Sequence, residues 1–188
     1  MNLFRQDREK YIVGLFSKGD SNAMDKLYNE YANLLAGVCE RYVPDSETVK
    51  DILQESFIKI FSQISSFEYR GKGSLKAWLT RIVINESLNQ LRKEKQFQIS
   101  DTDIDNLDLP DVPPDTGDLT EDEILGLIHQ LPPGYRAVFN LFVIEGKSHK
   151  EIADILNIKA DSSASQFHRA KSMLANMITE YKIKKDKR

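Results

Sequence analysis

The stretch LPPGYRAVFNLFVIEGKSHKEIADILNIKADSSASQFHRAKSML, residues 131–174, decides the fold. Ser148 followed by Glu151 is a capping box, and it opens a short helix carrying Ile152, Ala153, Ile155 and Leu156. Ala153 is small, as a close helix crossing requires. Asn157 tolerates the left-handed backbone of a sharp turn, and Ile158 can plug that turn into the core. A second helix follows, with Asp161 or Ser162 as its cap. Its apolar stripe is Phe167, Ala170, Leu174, Met177 and Ile178 at helical spacing. The other face carries Ser165, His168, Arg169, Ser172 and Asn176, flanked by Gln166 and Lys171. Short polar groups with Arg and Lys suit a DNA groove: hydrogen bonds to base edges, cations to phosphate. The pattern reads as a helix-turn-helix. The competing reading is a helical hairpin with a merely solvated outer face.

Nothing outward from this stretch suggests strands. The 188 residues hold only nine glycines, and long 3.6-residue periodicities dominate, so an all-α protein is expected. No apolar run reaches membrane-spanning length and MNLFRQDREK has no signal-peptide core, which points to a cytoplasmic protein without membrane insertion. The single cysteine, Cys39, lies on an apolar helical stripe and reads as packing; one cysteine excludes an internal disulfide.

The formal net charge of −3 conceals a segregation. Residues 1–95 hold 15 Lys/Arg against 13 Asp/Glu, residues 96–123 none against ten, and residues 124–188 hold 11 against six. A strongly acidic connector thus masks two mildly basic pieces. The expected organisation is two small helical domains, 1–95 and 121–188, joined by a flexible acidic linker, 96–120, with Pro110, Pro113 and Pro114 and almost no periodicity. The first domain is expected to contain helices over 5–17, 21–42, 48–65 and 75–95. The 21–42 stripe includes Met24, Leu27, Tyr28, Tyr31, Leu35 and Val38. The basic tail, 182–188, is expected to fray.

On the 75–95 helix, Ala77, Ile84, Leu88 and Leu91 fall on one side and Leu75, Leu79 and Ile82 almost opposite, which sandwiches it between neighbours. Between them Trp78, Arg81, Asn85, Asn89 and Arg92 stand in line, at spacings of three and four. An aromatic ring, amides and guanidinium groups in one row can stack on an unpaired base, bond base edges and neutralise phosphate. A core tryptophan and hydrogen-bonded packing amides are the structural alternatives. The preceding loop supplies Phe67, Tyr69, Arg70, Lys72 and Ser74, with glycines that let backbone approach a ligand. The 48–65 helix shows a different outer face, Asp51, Gln54, Glu55, Ile58, Lys59 and Ser62. Glu55–Lys59 there forms an i,i+4 pair, and an exposed Ile58 hints at a protein contact.

Taken in order, DILQESFIKIF (51–61), SFEYRGKGSLKAWLTRIVINESLNQLRKE (66–94) and the C-terminal LPPGYRAVF, EIADILNI and SQFHRAK resemble regions 2 and 4 of the sigma-70 family. The two-domain form resembles the extracytoplasmic-function (ECF, group IV) sigma factors, and NESLNQLRK resembles Bacteroidetes-type versions. The resemblance implies a transcription-initiation factor whose partners are bacterial core RNA polymerase, promoter DNA and an anti-sigma factor. The 51–62 face then docks on polymerase. Arg70, Lys72, Ser74, Lys76, Trp78, Arg81, Asn85, Asn89 and Arg92 recognise and open the −10 element. Ser162, Ser163, Ser165, Gln166, His168, Arg169 and Lys171 read the −35 element in the major groove. Ala164 and Gln166 stand where many members carry a basic residue, leaving Arg169 and Lys171 as the main cations. The acidic linker resembles the segment that threads toward the polymerase RNA channel, where negative charge can take the place of RNA.

The alternative is a stand-alone helix-turn-helix regulator with an N-terminal sensor domain, which needs a ligand cavity or phosphoacceptor. An enzyme fits poorly. His129, His149 and His168 are scattered, and no phosphate-cradling glycine motif or HExxH appears. No catalytic residue, metal or cofactor is expected.

Overall fold

The computed structural model describes residues 7–93 and 116–186. The expected linker therefore lies outside the described residues, apart from 116–120. Among the described residues every regular element is helical: α1 (Arg8–Ser17), α2 (Ala23–Glu40), α3 (Ser46–Gln63), α4 (Ser74–Lys93), α5 (Glu121–His129), α6 (Pro133–Phe139), α7 (His149–Leu156) and α8 (Ala160–Lys185). The chain divides into two compact units, Met1–Gln90 and Leu91–Arg188.

In the first unit α1 to α4 enclose a core of Ile12, Leu27, Leu35, Val38, Ile52, Ile60, Leu75, Leu79 and Val83. Each aliphatic side chain so buried contributes about 1.5–3 kcal/mol. Asp7 caps α1, its carboxylate accepting from the backbone N–H groups of Glu9 and Lys10, and Asp45 caps α3 in the same way through Thr48. Cys39 is buried with the Ser87 hydroxyl 3.4 Å from its sulfur, as the sequence predicts, and burial raises the thiol pKa.

The second unit closes around Leu127, Ile128, Leu131, Tyr135, Ala170 and Leu174, so α5 and α6 pack on α8. A π-helical turn, Asn140–Ile144, ends α6. The capping box at Ser148 and Glu151 forms as expected, and it holds the Glu151 carboxyl below its usual range. Asn157 adopts φ 56° and ψ 49°, the left-handed turn the sequence requires.

Two ends differ from expectation. Helix α8 begins at Ala160 with Lys159 as its cap residue, and neither Asp161 nor Ser162 caps it. Helix α8 also continues through Lys185, and its last turn is tied down: Lys185 Nζ lies 2.9 Å from Glu123 and Lys182 Nζ 3.4 Å from Asp118. The expected fraying fails up to that point because Glu123 of α5 and Asp118 just ahead of it meet the tail lysines.

Glu123 is the hub of that attachment. It accepts from Thr120 N–H at 2.8 Å, Lys185 and, at 2.8 Å, the Tyr181 hydroxyl. These bonds, the Thr120 backbone first, lower its pKa from 4.5 to about 2. The native state therefore binds this proton more weakly than the unfolded chain, so the contribution is complete above about pH 4.5 and lost as pH falls toward 2. An acid titration followed by circular dichroism is expected to show a stability loss in that window that Glu123→Gln removes. An unchanged acid limb in the variant contradicts the assignment.

Candidate nucleic-acid interface

In the first unit the candidate surface is the outer face of α4 with the loop before it. Leu75 and Leu79 are buried on one side of α4 and Ile84, Leu88 and Leu91 on the other, as a covered helix requires. Ala77, expected to be buried, is exposed, and Ile82 is only half-buried. Arg81 and Asn85 are exposed in the strip between, and Asn89 is half-buried there; Arg92, also exposed on the last turn of α4, falls in the second unit. Trp78 is also half-buried. Its ring packs on Phe67 with centroids 5.1 Å apart, leaving part of the indole accessible beside the loop.

The loop turns through two left-handed glycines, Gly71 (φ 117°) and Gly73 (φ 91°), positions where any other residue would be strained. Arg70, Lys72 and Lys76 are exposed around it. Arg70 also meets Glu68 at 3.3 Å, and its backbone N–H donates to the Ser74 hydroxyl at 3.2 Å. Ser74 thus shapes the loop.

Two acidic residues that the sequence reading passed over hold this loop from α1. The Tyr69 hydroxyl donates to Asp7, which lowers the Asp7 pKa and pushes that of Tyr69 to about 12. Glu9, 9% exposed, accepts from the backbone N–H groups of Gly73 (2.8 Å), Leu75 (3.1 Å) and Lys76 (3.4 Å). A capping Asp at position 7 is legible locally; contacts across more than 60 residues leave no local signature.

On α3 of the same unit Asp51, Gln54, Glu55, Ile58 and Ser62 are exposed, Ile58 to 56%. Lys59 is engaged differently from expectation. Its ammonium lies 2.7 Å from Glu86 of α4, so Glu86 takes the role assigned to Glu55. Beside this face lies an open groove of about 510 Å³ between α2 and α3, lined by Tyr28, Asn33, Lys50, Phe57, Ile58 and Phe61 among others. Met24 and Tyr28, assigned to the buried stripe of α2, are each 51% exposed. Tyr28 still touches Phe57, with ring centroids 4.9 Å apart, because it forms the groove wall.

In the second unit α7 and α8 form the helix-turn-helix. Ser165, His168 and Lys171 are exposed on α8, and Ser162 and Gln166 are half-buried. Ser163 is fully buried, its hydroxyl 3.0 Å from His149 Nδ1, so it joins the two helices and cannot face a groove. Ser172, placed on the outer face by sequence, is fully buried and donates to the His168 carbonyl at 3.1 Å. Arg169 is half-buried and reaches inward, donating to the Tyr135 hydroxyl at 3.4 Å. The outer face is accordingly narrower than expected, with Lys171 its exposed cation among these residues. Phe142, His149 and Phe167 stack beneath it, with the Lys171 ammonium 5.8 Å from the Phe167 ring centroid.

Residues 27–97 match the model for Sigma-70 region 2, and residues 121–174 that for Sigma-70, region 4. The chain is 31% identical to the ECF RNA polymerase sigma-E factor of Haemophilus influenzae, over 90% of this chain and 95% of that protein. It is 27% identical to the RNA polymerase sigma-H factor of Pseudomonas aeruginosa, over 92% and 94%. Among solved structures, the sigma factor RpoE of Bartonella quintana, in complex with the anti-sigma factor NepR, shares its fold. That match has a TM-score of 0.52 and 22% identity, over 84% of this chain and 98% of that one.

Proposed function

This chain belongs to the sigma-70 family as an extracytoplasmic-function sigma factor, a promoter-directing partner of RNA polymerase, and on that premise we propose how its residues divide the work. The first unit, with α4 at its centre, opens the −10 element. Trp78 stacks on an unpaired base, Asn85 and Asn89 bond base edges, and Arg70, Lys72, Lys76, Arg81 and Arg92 meet the sugar-phosphate backbone. Ser74 acts through the loop rather than on DNA. The carrying observation is the accessible Trp78 edge at the head of an exposed Asn/Arg strip, beside a glycine loop.

The second unit reads the −35 element through Ser162, Ser165, Gln166, His168 and Lys171, with Arg169 and Ser163 holding α8 in place. Lys171 supplies the cationic contact and the short polar side chains face the groove. One strong cation makes this a weak binder by itself, and each phosphate contact contributes about −0.9 to the slope of log K against log salt. The domain division, 1–95 and 121–188 about an acidic connector, is the sequence arrangement that lets two weak readers act on one promoter.

The α3 face of Asp51, Gln54, Glu55, Ile58 and Ser62 docks on core polymerase, with Ile58 as its apolar centre and Lys59 set by Glu86. An anti-sigma protein is a further partner, by analogy with the NepR complex of the Bartonella protein. No catalytic chemistry is assigned to the chain.

Run-off transcription with purified core polymerase on cognate genomic fragments tests the reading. Specific transcripts dependent on this chain are expected, and strongly reduced ones with Ile58→Asp at matched, subsaturating concentration. Burying a new carboxylate at the centre of an interface costs at least about 2 kcal/mol, roughly thirtyfold in affinity. Wild-type polymerase binding by Ile58→Asp moves the docking face elsewhere.

A further inference from the structure

We infer that Glu9 is a positioning residue for promoter opening: from α1 it fixes the start of α4, and with it the loop that presents Trp78. The inference rests on the −10 reading above. Glu9 and Asp7 lie outside 27–97, the part matched to region 2, so that match assigns these two residues no role.

The first N–H groups of any helix lack partners within the helix. A side chain at the cap position usually accepts from them. Here the residue before α4 is Gly73, which has no side chain, and the Ser74 hydroxyl accepts from Arg70. Glu9 fills the vacancy from 64 residues away, one carboxylate oxygen accepting from Gly73 at 2.8 Å and Leu75 at 3.1 Å. Its other oxygen meets the Lys76 N–H at 3.4 Å. The Tyr31 hydroxyl bonds the same carboxylate, and burial with that negative charge raises the tyrosine pKa to about 12.

Asp7 adds a second tie, to the Tyr69 hydroxyl. The segment from Tyr69 to Lys76 is therefore pinned near both ends to one turn of α1. Between the pins lie the left-handed Gly71 and Gly73 and the exposed Arg70 and Lys72. Two glycines alone would leave this segment many conformations.

The arrangement also excludes an alternative use of α4. A helix start with free N–H groups binds phosphate readily. Glu9 occupies those donors with its own charge, so DNA phosphates are directed to the side chains of Arg70, Lys72 and Lys76. A Gln at position 9 would set an amide N–H₂ against donors. An Asp would keep the charge but shorten the reach.

The test uses full-length protein with core polymerase. Glu9→Gln is expected to slow opening of a duplex promoter on the order of tenfold, the scale of hydrogen bonds to a charged group. A premelted template should restore initiation, and polymerase binding should hold. In the free protein Trp78, the one tryptophan of the chain, should become more accessible to acrylamide quenching. Glu9→Asp should recover part of the opening rate, and Tyr69→Phe should shift both readouts the same way by less.

Wild-type opening with unchanged Trp78 quenching in Glu9→Gln overturns the proposal, as does equal loss on duplex and premelted templates. If Glu9→Gln does not fold, Glu9→Asp and Tyr69→Phe decide on the same two readouts. Trp78→Ala, run alongside, separates the inference from its premise. A duplex-specific defect in Trp78→Ala with none in Glu9→Gln overturns the inference alone. A template-independent defect in Trp78→Ala overturns the −10 reading and the inference with it.

Discussion

Trp78→Ala combined with Asn85→Ala is expected to slow initiation on duplex promoters by about a hundredfold, and much less on templates already melted at −10. The magnitude follows from stacking: removing an aromatic platform costs about 1–3 kcal/mol per base, and a lost amide contact adds to it. Trp78 also packs on Phe67, so part of any defect will be a local loosening of the loop. The template comparison separates both from loss of the fold. A folding defect follows the protein onto both templates, whereas a strand-separation defect vanishes when separation is supplied. Equal impairment on both would show that the indole serves the fold and not the DNA.

Arg136→Ala is expected to lower the stability of the second unit by about 3 kcal/mol, through lost hydrogen bonds and an unfilled cavity. Arg136 is 3% exposed, and its guanidinium donates to the carbonyls of His129 at 2.7 Å and Leu131 at 3.1 Å. These carbonyls close the C-terminal end of α5, where helix groups lack internal partners and the dipole favours a cation. Burial lowers the arginine pKa, but the group remains charged at neutral pH. Arg136→Lys should recover little, because an ammonium lacks the planar fork that serves two carbonyls at once. Urea denaturation followed by circular dichroism checks this. An unchanged midpoint in Arg136→Ala would mean water replaces the guanidinium without cost.

The elements legible in the sequence are those whose cause is local. Ser148 and Glu151 form a capping box because three residues separate them on a first helical turn, and Asn157 turns left-handed because the chain must reverse there. The Trp78, Arg81, Asn85 and Arg92 strip follows from helical spacing and leucines on either side. Met24 and Tyr28 depart from expectation for an equally physical reason. Periodicity identifies an apolar side of a helix, but it cannot distinguish core from the wall of an open groove. Ser163 and Arg169 depend on contacts across helices, one with His149 and one with Tyr135, that no pattern along α8 reveals. The Lys59 to Glu86 pair fails the same way, since Glu55 is nearer in sequence yet Glu86 is nearer in space. Residues 96–115 offered strong composition and no periodicity, and they lie outside the described residues.

The tie between α1 and the head of α4 bears on how a minimal promoter-opening fragment should be cut. Region 2 similarity begins at residue 27, and a fragment started there would retain every residue assigned to DNA in the first unit. It would lack Asp7 and Glu9, so the loop would keep its chemistry and lose its shape. A fragment begun ahead of Asp7 carries both ties, and a fusion partner joined at that end needs a spacer long enough to leave α1 seated. The boundary of the region 2 match and the boundary of a working part therefore differ by about twenty residues, α1 and the first turn of α2.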